Sequence, residues 1–263
     1  MTPSYLLRNA NKRLRENGLT LLDNVSHETI SACFFDPQYR MVMEKMKYGN
    51  EGARQKERAK LPQMGEDMIV QFLVGITKCL KPGGYCFFWV DKFMLAEGIH
   101  KDIVGRANFN LAMNHIATPL YQVDVLTWHK GRIAQGYRTR RASEFLVILQ
   151  KFPKSTKTWL DRGIPDVWTE SIPHPKSHHT HTKPIGLTRR LIECVTEPMD
   201  YILDPCAGEF TTLEAAKPIG RNFIGCDITP KYGLECPHGR KSPGKCPKCA
   251  KTQVELTHLG LTT

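Results

Sequence analysis

Three short, mostly apolar runs in this chain each end in an aspartate. The runs and their aspartates are Ile30–Phe35 with Asp36, Tyr201–Leu203 with Asp204, and Phe223–Cys226 with Asp227. Such runs are typical of strands buried on both faces, as in a parallel sheet covered by helices. In such sheets, ligands bind beyond the carboxyl ends of the strands. The pattern therefore predicts an α/β fold with three carboxylates on its binding edge.

Helical and strand patterns alternate through the rest of the chain. Helices are predicted at Glu66–Leu80, near 93–106 and near 185–196, and further strands at Tyr85–Val90, Tyr121–Trp128 and Glu144–Gln150. We expect Lys81-Pro82-Gly83-Gly84 to turn the chain between the first of these helices and its strand. This alternation predicts a mainly parallel sheet with helices on both faces.

The composition fits a globular protein with an acidic partner. Of 263 residues, 41% are hydrophobic and 24% charged. The net charge of +11 is typical of proteins with an acidic partner, most commonly nucleic acid, and a basic protein without such a partner is the alternative. The longest apolar runs, Tyr85–Val90 and Phe145–Leu149, are far shorter than the ~20 residues of a membrane helix. The sequence opens without an apolar signal segment, and its nine cysteines lack a secreted-type pattern. We therefore expect a cytoplasmic protein with reduced thiols.

The segment after the second aspartate has the pattern of a nucleoside-binding turn. It runs Asp204-Pro205-Cys206-Ala207-Gly208-Glu209-Phe210-Thr211-Thr212. Its small residues would let a ligand approach the backbone closely. Asp227 follows about twenty residues later, where an acid can accept hydrogen bonds from ribose hydroxyls. This is the nucleoside half of a Rossmann-like sheet, although an ordinary strand–helix–strand unit could share the spacing.

Three elements together resemble the S-adenosylmethionine-dependent amino-methyltransferases that act on DNA. DPCAGEFTTLEAAKPIGRNFIGCD is similar to that family's cofactor motif, His179-Thr180-His181-Thr182-Lys183-Pro184 to its H-P-T-Q-K-P element, and Asp36-Pro37-Gln38-Tyr39 to its catalytic D-P-P-Y. The catalytic motif comes first, which is the permuted order called the beta class. The resemblance covers about residues 19–232 and implies a Rossmann-like, seven-stranded sheet. It also implies S-adenosylmethionine as methyl donor and an adenine or cytosine amine as acceptor.

The resemblance also assigns residues to the two halves of the site. It implies that cofactor contacts come from Asp204, Cys206, Ala207, Gly208, Thr211, Asp227, His179 and Lys183. It also implies that the catalytic residues are Asp36, Pro37 and Tyr39. An exocyclic amine is a poor nucleophile, and two acceptors, the Asp36 carboxylate and the Pro37 carbonyl, would orient its lone pair. Tyr39 offers a stacking face for a base that must leave the duplex.

Three departures from the family pattern bear on the site. Gln38 replaces the second proline, while the proline with the acceptor carbonyl is kept. Glu209-Phe210 replaces the usual Ser-Gly; because phenylalanine adopts positive φ only at a cost, we expect a different turn geometry there. Glu209 would either bind the ammonium of the cofactor or be solvated. The family's Gly-Asp pair near the N-terminus is not recognisable before Leu19.

A basic segment is the candidate DNA contact. Five cations in twelve residues, with no acid among them, are Lys130, Arg132, Arg138, Arg140 and Arg141. Their position between two predicted strands beside the base pocket favours phosphate contacts over a merely solvated face. Double-stranded DNA is the expected partner. Because 151–178 leaves little room for a recognition domain, recognition would be short, relaxed, or shared with the tail, a second copy or a partner subunit.

The C-terminal region has a different character. Cys236 and His238 precede Cys246 and Cys249, and Cys-x2-Cys is typical of half a structural zinc site. We predict a small zinc ribbon at 233–263, with a flexible basic tail as the alternative. The histidines at 174, 178, 179 and 181 are dense enough for a metal, but they overlap the H-P-T-Q-K-P-like element.

The sequence thus predicts a methyltransferase domain at 1–232 and a basic tail. Within the domain, the catalytic half spans about 19–150, a linker or short recognition region 151–178, and the cofactor half 179–232. The expected function is methylation of adenine N6 in DNA, since the catalytic motif begins with Asp rather than Ser. The alternatives are an N4-cytosine methyltransferase, a catalytically silent nucleic-acid-binding protein and, more weakly, an enzyme acting on RNA.

Overall fold

The computed structural model describes residues 4–37, 64–116, 118–134, 138–171 and 183–228. Its strands are β1 (Leu14–Arg15), β2 (Ile30–Phe35), β3 (Leu80–Val90), β4 (Leu120–Ala134), β5 (Arg141–Lys151), β6 (Val167–Thr169), β7 (Tyr201–Asp204) and β8 (Asn222–Asp227). Its α-helices are α1 (Tyr5–Asn9), α2 (Gly18–Asn24), α3 (Glu66–Cys79), α4 (Lys92–Ala96), α5 (Ile99–Met113), α6 (Ile185–Val195) and α7 (Thr211–Ala216). Single 3-10 turns lie at Thr156–Thr158 and Lys217–Ile219.

These strands form a single sheet in the order β1-β8-β7-β2-β3-β5-β4-β6. The pairings from β1 through β8, β7 and β2 to β3 are all parallel, whereas β5 is antiparallel to both β3 and β4. The predicted α/β fold is confirmed, with eight strands among the described residues instead of the implied seven. The carboxyl ends of β8, β7 and β2 therefore lie side by side on one edge.

Helices cover both faces of the sheet because residues in its central strands alternate between two cores. Phe34 and Phe87 stack on one face with centroids 4.7 Å apart, and Phe35 and Phe88 stack on the other at 5.6 Å. Apolar residues of α6 and α7 pack on the first face. Those of α2, α3 and α5 pack on the second. This two-sided burial explains the continuous apolar runs in the sequence.

The predicted turn at Lys81–Gly84 is wrong, because these residues lie inside β3. Between the pairs Ile30–Leu80 and Ala32–Tyr85 the register shifts, so β3 accommodates extra residues without reversing. Gly83 has φ +76° there, which glycine tolerates. The helix predicted near 93–106 is two helices, α4 and α5, separated at Gly98, whose φ is +74°.

The basic segment between the predicted strands is largely strand. β4 runs on to Ala134 and β5 begins at Arg141, so the connection is much shorter than expected. The elements α1, β1, α2 and β6 were not predicted. Among the helices that the structure describes, none has the length and apolarity to span a bilayer.

Candidate active site

The sheet topology brings the three predicted aspartates to one edge. Asp36 follows β2, Asp204 ends β7 and Asp227 ends β8, and these three strands are adjacent. Asp91, at the end of β3, caps α4 by accepting hydrogen bonds from the backbone N–H groups of Phe93 and Met94. The edge thus carries one helix-capping acid and three acids in a candidate site.

An ion pair with Lys183 holds the carboxylate of Asp36. The Nζ atom of Lys183 lies 2.9 Å from Oδ2 of Asp36. The Asp36 side chain keeps 36% of its surface exposed, whereas the adjacent Pro37 is buried. Burial raises the pKa of Asp36, and the Lys183 ammonium opposes that rise. Asp36 therefore presents a carboxylate that a ligand can reach, backed by a fixed cation.

Two further charged residues extend this ion pair. Lys183 also contacts Oε2 of Glu144 at 2.8 Å, and Lys130 donates to Oε1 of the same carboxylate. Although burial alone would raise the pKa of Glu144, the ammonium groups of Lys183 and Lys130 hold it well below its usual range. The neighbouring carboxylates raise the pKa of Lys183 against the effect of burial. Glu144 and Lys183 are therefore both charged at neutral pH.

Two buried tryptophans support the cations of this cluster. The Nζ of Lys183 lies 4.6 Å from the ring centroid of Trp89, and that of Lys130 lies 5.2 Å from the ring of Trp128. The two indoles meet edge to face at 6.0 Å and are 3% and 2% exposed. Their faces attract the cations and exclude water from one side of the site. Trp128 is therefore a packing residue here and not an exposed stacking surface.

Glu170 fixes the start of α6, immediately after Lys183. Its carboxylate accepts hydrogen bonds from the N–H groups of Gly186 and Leu187 at 2.9 and 3.0 Å, where the helix dipole favours a negative charge. The indole of Trp168 donates to the same carboxylate at 2.8 Å. A β-carbon at Gly186 would lie 2.8 Å from Glu170 Oε2, so glycine makes this cap possible.

The carboxylate of Asp204 lies beneath the predicted cofactor turn. It accepts hydrogen bonds from Thr212 Oγ1 at 2.6 Å and from the N–H of Cys206 at 3.2 Å. Asp204 is 6% exposed, and burial raises its pKa to about 7. It joins the turn to the first residues of α7, so its contacts within the protein are structural.

The upper side of the turn is open. Gly208 has φ +49°, and a β-carbon placed on it would have no atom within 4 Å. Its N–H donates to Oδ2 of Asp227 at 3.1 Å. Asp227 is partly exposed at the tip of β8. An open glycine turn beside a strand-end carboxylate can hold a nucleoside.

The expectation that Phe210 changes the turn geometry is wrong. Phe210 adopts φ +61° and ψ +33°, the left-handed conformation that glycine would take. Its ring is fully buried, packs edge to face on Phe223 at 6.0 Å and lies under the guanidinium of Arg13. The strain of about 1–2 kcal/mol is offset by burial of a phenylalanine, which contributes about 1.5–3 kcal/mol. The Glu209 side chain is partly buried, and burial raises its pKa.

The predicted DNA-binding cations differ in their surroundings. Arg132, Arg138 and Arg140 are exposed, and Arg141 is half-buried. Lys130, in contrast, has a 20% exposed side chain and faces Glu144 inside the site. Lys92 donates to Thr139 at 3.1 Å, which ties α4 to this connection.

Several predicted residues lie outside the described ranges. They are Gln38, Tyr39, the histidines at 174, 178, 179 and 181, and the tail residues Cys236, His238, Cys246 and Cys249. Within the ranges that are described, no group of three or more His, Cys, Asp or Glu side chains could hold a metal.

Glu144, Glu170 and Thr212 were missed as site residues. Glu144 is an acid beside an apolar strand run, close to the basic segment, and this contrast was a usable signal. The hydroxyl of Thr212 belongs to the cofactor motif. Glu170 had no local signal, because the N–H groups of α6 that it caps lie beyond a segment without periodicity.

Comparison with known proteins agrees with this geometry. Residues 30–234 match the N6/N4 family model described as DNA methylase. The chain is 45% identical over 220 residues to type II methyltransferase M.HhaII of Haemophilus parahaemolyticus, covering 83% of this chain and 91% of that protein.

Solved structures share the fold. PvuII DNA methyltransferase, described as cytosine-N4-specific, superimposes with a TM-score of 0.58 at 18% identity, over 85% of this chain and 86% of that one. The structure of M1.HpyAVI in complex with SAM superimposes with a TM-score of 0.54 at 16% identity. The match covers 84% of this chain and 95% of that one. The family match and the relative that is 45% identical together place the chain in the N6/N4 family of S-adenosylmethionine-dependent DNA methyltransferases.

Proposed function

We propose that this protein transfers a methyl group from S-adenosylmethionine to N6 of adenine in double-stranded DNA. The observation that carries the proposal is the Asp36–Lys183 pair, at the end of a strand adjacent to the cofactor turn. The type II relative supports a place in a restriction-modification system.

The described residues fit the proposed cofactor. The open turn at Gly208 leaves space against the backbone, and the Asp227 carboxylate is suited to a ribose diol. Cys206, Ala207 and Thr211 lie in or beside the same turn. When bound, S-adenosylmethionine supplies an electrophilic methyl group.

The chain orients the acceptor amine and receives its proton. The Asp36 carboxylate accepts one N–H of the amine, and the Pro37 carbonyl accepts the other. These two bonds favour a pyramidal nitrogen and aim its lone pair, which is a positioning and electrostatic effect. The methylated nitrogen must then lose a proton, and the Asp36 carboxylate is already bonded to it. Burial, which raises the pKa of Asp36, makes this carboxylate a better acceptor.

Adenine is preferred over cytosine because the catalytic motif begins with Asp36. The cytosine alternative is favoured by the fold shared with an N4-cytosine enzyme. Product analysis separates them: DNA methylated with isotopically labelled cofactor is digested to nucleosides and analysed by mass spectrometry. We expect labelled N6-methyladenine, formed about 100- to 1000-fold more slowly by D36A. N4-methylcytosine would shift the assignment, a labelled RNA product would identify the weaker alternative, and DNA binding without any labelled product would indicate the silent binder.

Phosphate contacts are proposed for the predicted basic segment. Arg132, Arg138 and Arg140 are exposed, as such contacts require, and Arg141 and Lys130 adjoin them. Replacing Arg138 and Arg140 by Glu is expected to weaken DNA binding. The salt dependence should flatten by roughly one unit of logarithmic slope per lost contact. An unchanged slope would place the DNA elsewhere.

The tail and the assembly are proposed on sequence grounds alone. If Cys236, His238, Cys246 and Cys249 bind zinc, purified protein should carry about one zinc per chain, released as the pH falls. If elemental analysis finds no zinc in the purified protein, the zinc ribbon is excluded. Light scattering with and without DNA would show whether a second copy completes the recognition surface.

A further inference from the structure

Four charged side chains from four parts of the fold meet beside β2. Asp36 follows β2, Lys183 precedes α6, Glu144 lies on β5 and Lys130 on β4. Two acidic and two basic residues give the cluster no net formal charge. The chemistry described above uses Asp36 directly, while Glu144 and Lys130 have no part in it.

Lys183 is shared between two carboxylates. Its ammonium lies 2.9 Å from Asp36 Oδ2 and 2.8 Å from Glu144 Oε2, with Trp89 on another side. An ammonium has three donors, so contacts in these directions fix its position. Glu144 takes Lys183 on Oε2 and Lys130 on Oε1, so both of its oxygens are occupied.

We propose that Glu144 is a positioning residue for methyl transfer. It holds the Lys183 ammonium against Oδ2 of Asp36, so that the base amine can use Oδ1, and Lys130 neutralises the charge that Glu144 brings. This inference rests on the function proposed above and adds two residues to it.

The physical reason is competition for the Asp36 carboxylate. Without Glu144, Lys183 has one anionic partner in the cluster and can move to a position between both oxygens of Asp36. The amine would then compete with a cation for its acceptor. A displacement of about 1 Å in a positioned group can cost 100-fold in rate.

The charges facing Asp36 fix the sign of the expected pH effects. The charges closest to Asp36 belong to Lys183, Glu144 and Lys130. Asp204 and Cys206, in the predicted cofactor turn, also lie near enough to interact with Asp36. The Glu144 charge raises the pKa of Asp36 and the Lys183 charge lowers it. The acid limb of kcat reports the ionisation of Asp36. Removing the Glu144 charge and removing the Lys183 charge should therefore shift this limb in opposite directions.

The experiment compares E144Q and K183Q by steady-state methylation over a pH series. E144Q is expected to lower kcat about 10- to 100-fold, with both KM values within about twofold. Its acid limb should move to lower pH, while that of K183Q moves to higher pH. E144D should recover part of the rate. The matched control E193Q, at an exposed glutamate of α6, should behave as wild type.

Each other outcome has a defined meaning. Wild-type kcat in E144Q, or acid limbs that shift in the same direction for both variants, would overturn this inference alone if D36A is still inactive. An inactive wild-type enzyme would overturn the proposed function and this inference with it. If E144Q does not fold, K130Q provides the test: loss of this cation should move the acid limb to higher pH, and an unmoved limb would overturn the role of the cluster.

Discussion

The same dipeptide, Asp-Pro, lies at the ends of two adjacent strands, and its aspartate has a different role in each place. Asp36 after β2 is partly exposed and ion-paired with Lys183. Asp204 at the end of β7 is 6% exposed and accepts hydrogen bonds from Thr212 and the N–H of Cys206. One carboxylate is partly exposed and paired with a cation, and the other supports a turn from below.

The difference shows that the environment, and not the dipeptide, decides the role of each acid. Lys183 opposes the rise in the pKa of Asp36, while burial raises the pKa of Asp204 to about 7. Substitutions at the end of β2 should therefore affect chemistry, and substitutions at the end of β7 should affect stability. The following predictions test this division, from the largest expected effect to the smallest.

Phe210→Ala should destabilise the β7 turn most strongly. Loss of the buried ring is expected to lower the free energy of unfolding by about 3–5 kcal/mol, and the left-handed backbone strain remains. Phe210→Gly removes the same ring but relieves the strain, so it should be about 1 kcal/mol more stable than Phe210→Ala. Urea unfolding of both variants measures this gap. Equal stabilities would show that the positive φ is not strained.

Asp204 should make the stability of the ligand-free protein fall as pH rises. Its pKa is raised from an ordinary 3.8 to about 7, so the folded state keeps a proton that the unfolded state loses in this window. The stabilisation is complete below pH 3.8 and is lost by about pH 7, on the order of 4 kcal/mol for the full shift. Asp204→Asn should remove this part of the pH dependence. Parallel curves for the two proteins would contradict the prediction.

Asp36→Ala should abolish most activity and leave the fold intact. Loss of one preorganised polar group typically costs about 100- to 1000-fold in kcat. Because the side chain is partly exposed and Lys183 keeps Glu144 as partner, we expect the free energy of unfolding to change by less than about 1 kcal/mol. Single-turnover methylation and urea unfolding test both parts. A large loss of stability would erase the contrast with Asp204.

Asp227→Ala should weaken cofactor binding by about 1.5–3 kcal/mol, the range for a hydrogen bond to a charged group. Calorimetry with S-adenosylmethionine measures the change, and Asp36→Ala is the control that should bind normally. Unchanged affinity in Asp227→Ala would mean that this carboxylate does not contact the ribose.

The sequence predicted the strand ends well because their signal is local. Asp36, Asp204 and Asp227 follow apolar runs, and the topology of a parallel sheet brings such ends together. The helix α3 was predicted to within one residue, since its apolar spacing covers several turns.

The rest depended on contacts between distant residues. Glu144 pairs with Lys183, 39 residues away, and no local pattern encodes that pairing. Phe210 keeps a glycine-like conformation because Phe223 and Arg13 bury its ring, an influence that propensity cannot include. The short β1 contains only two residues, too few for a periodic signal.

The pairing of β1 with β8 has a consequence for the order in which the protein forms. Leu14 and Arg15 lie beside Cys226 and Asp227, and the backbone of Asn11 donates to the carbonyl of Phe223, 212 residues further along the chain. Because the ribosome synthesises the chain from its N-terminus, β1 cannot pair with β8 until nearly all of the described residues have been made. Such distant pairing slows folding, because the loop must close before the contact contributes. The β1–β8 edge of the sheet is therefore among the last parts of the protein to form during translation.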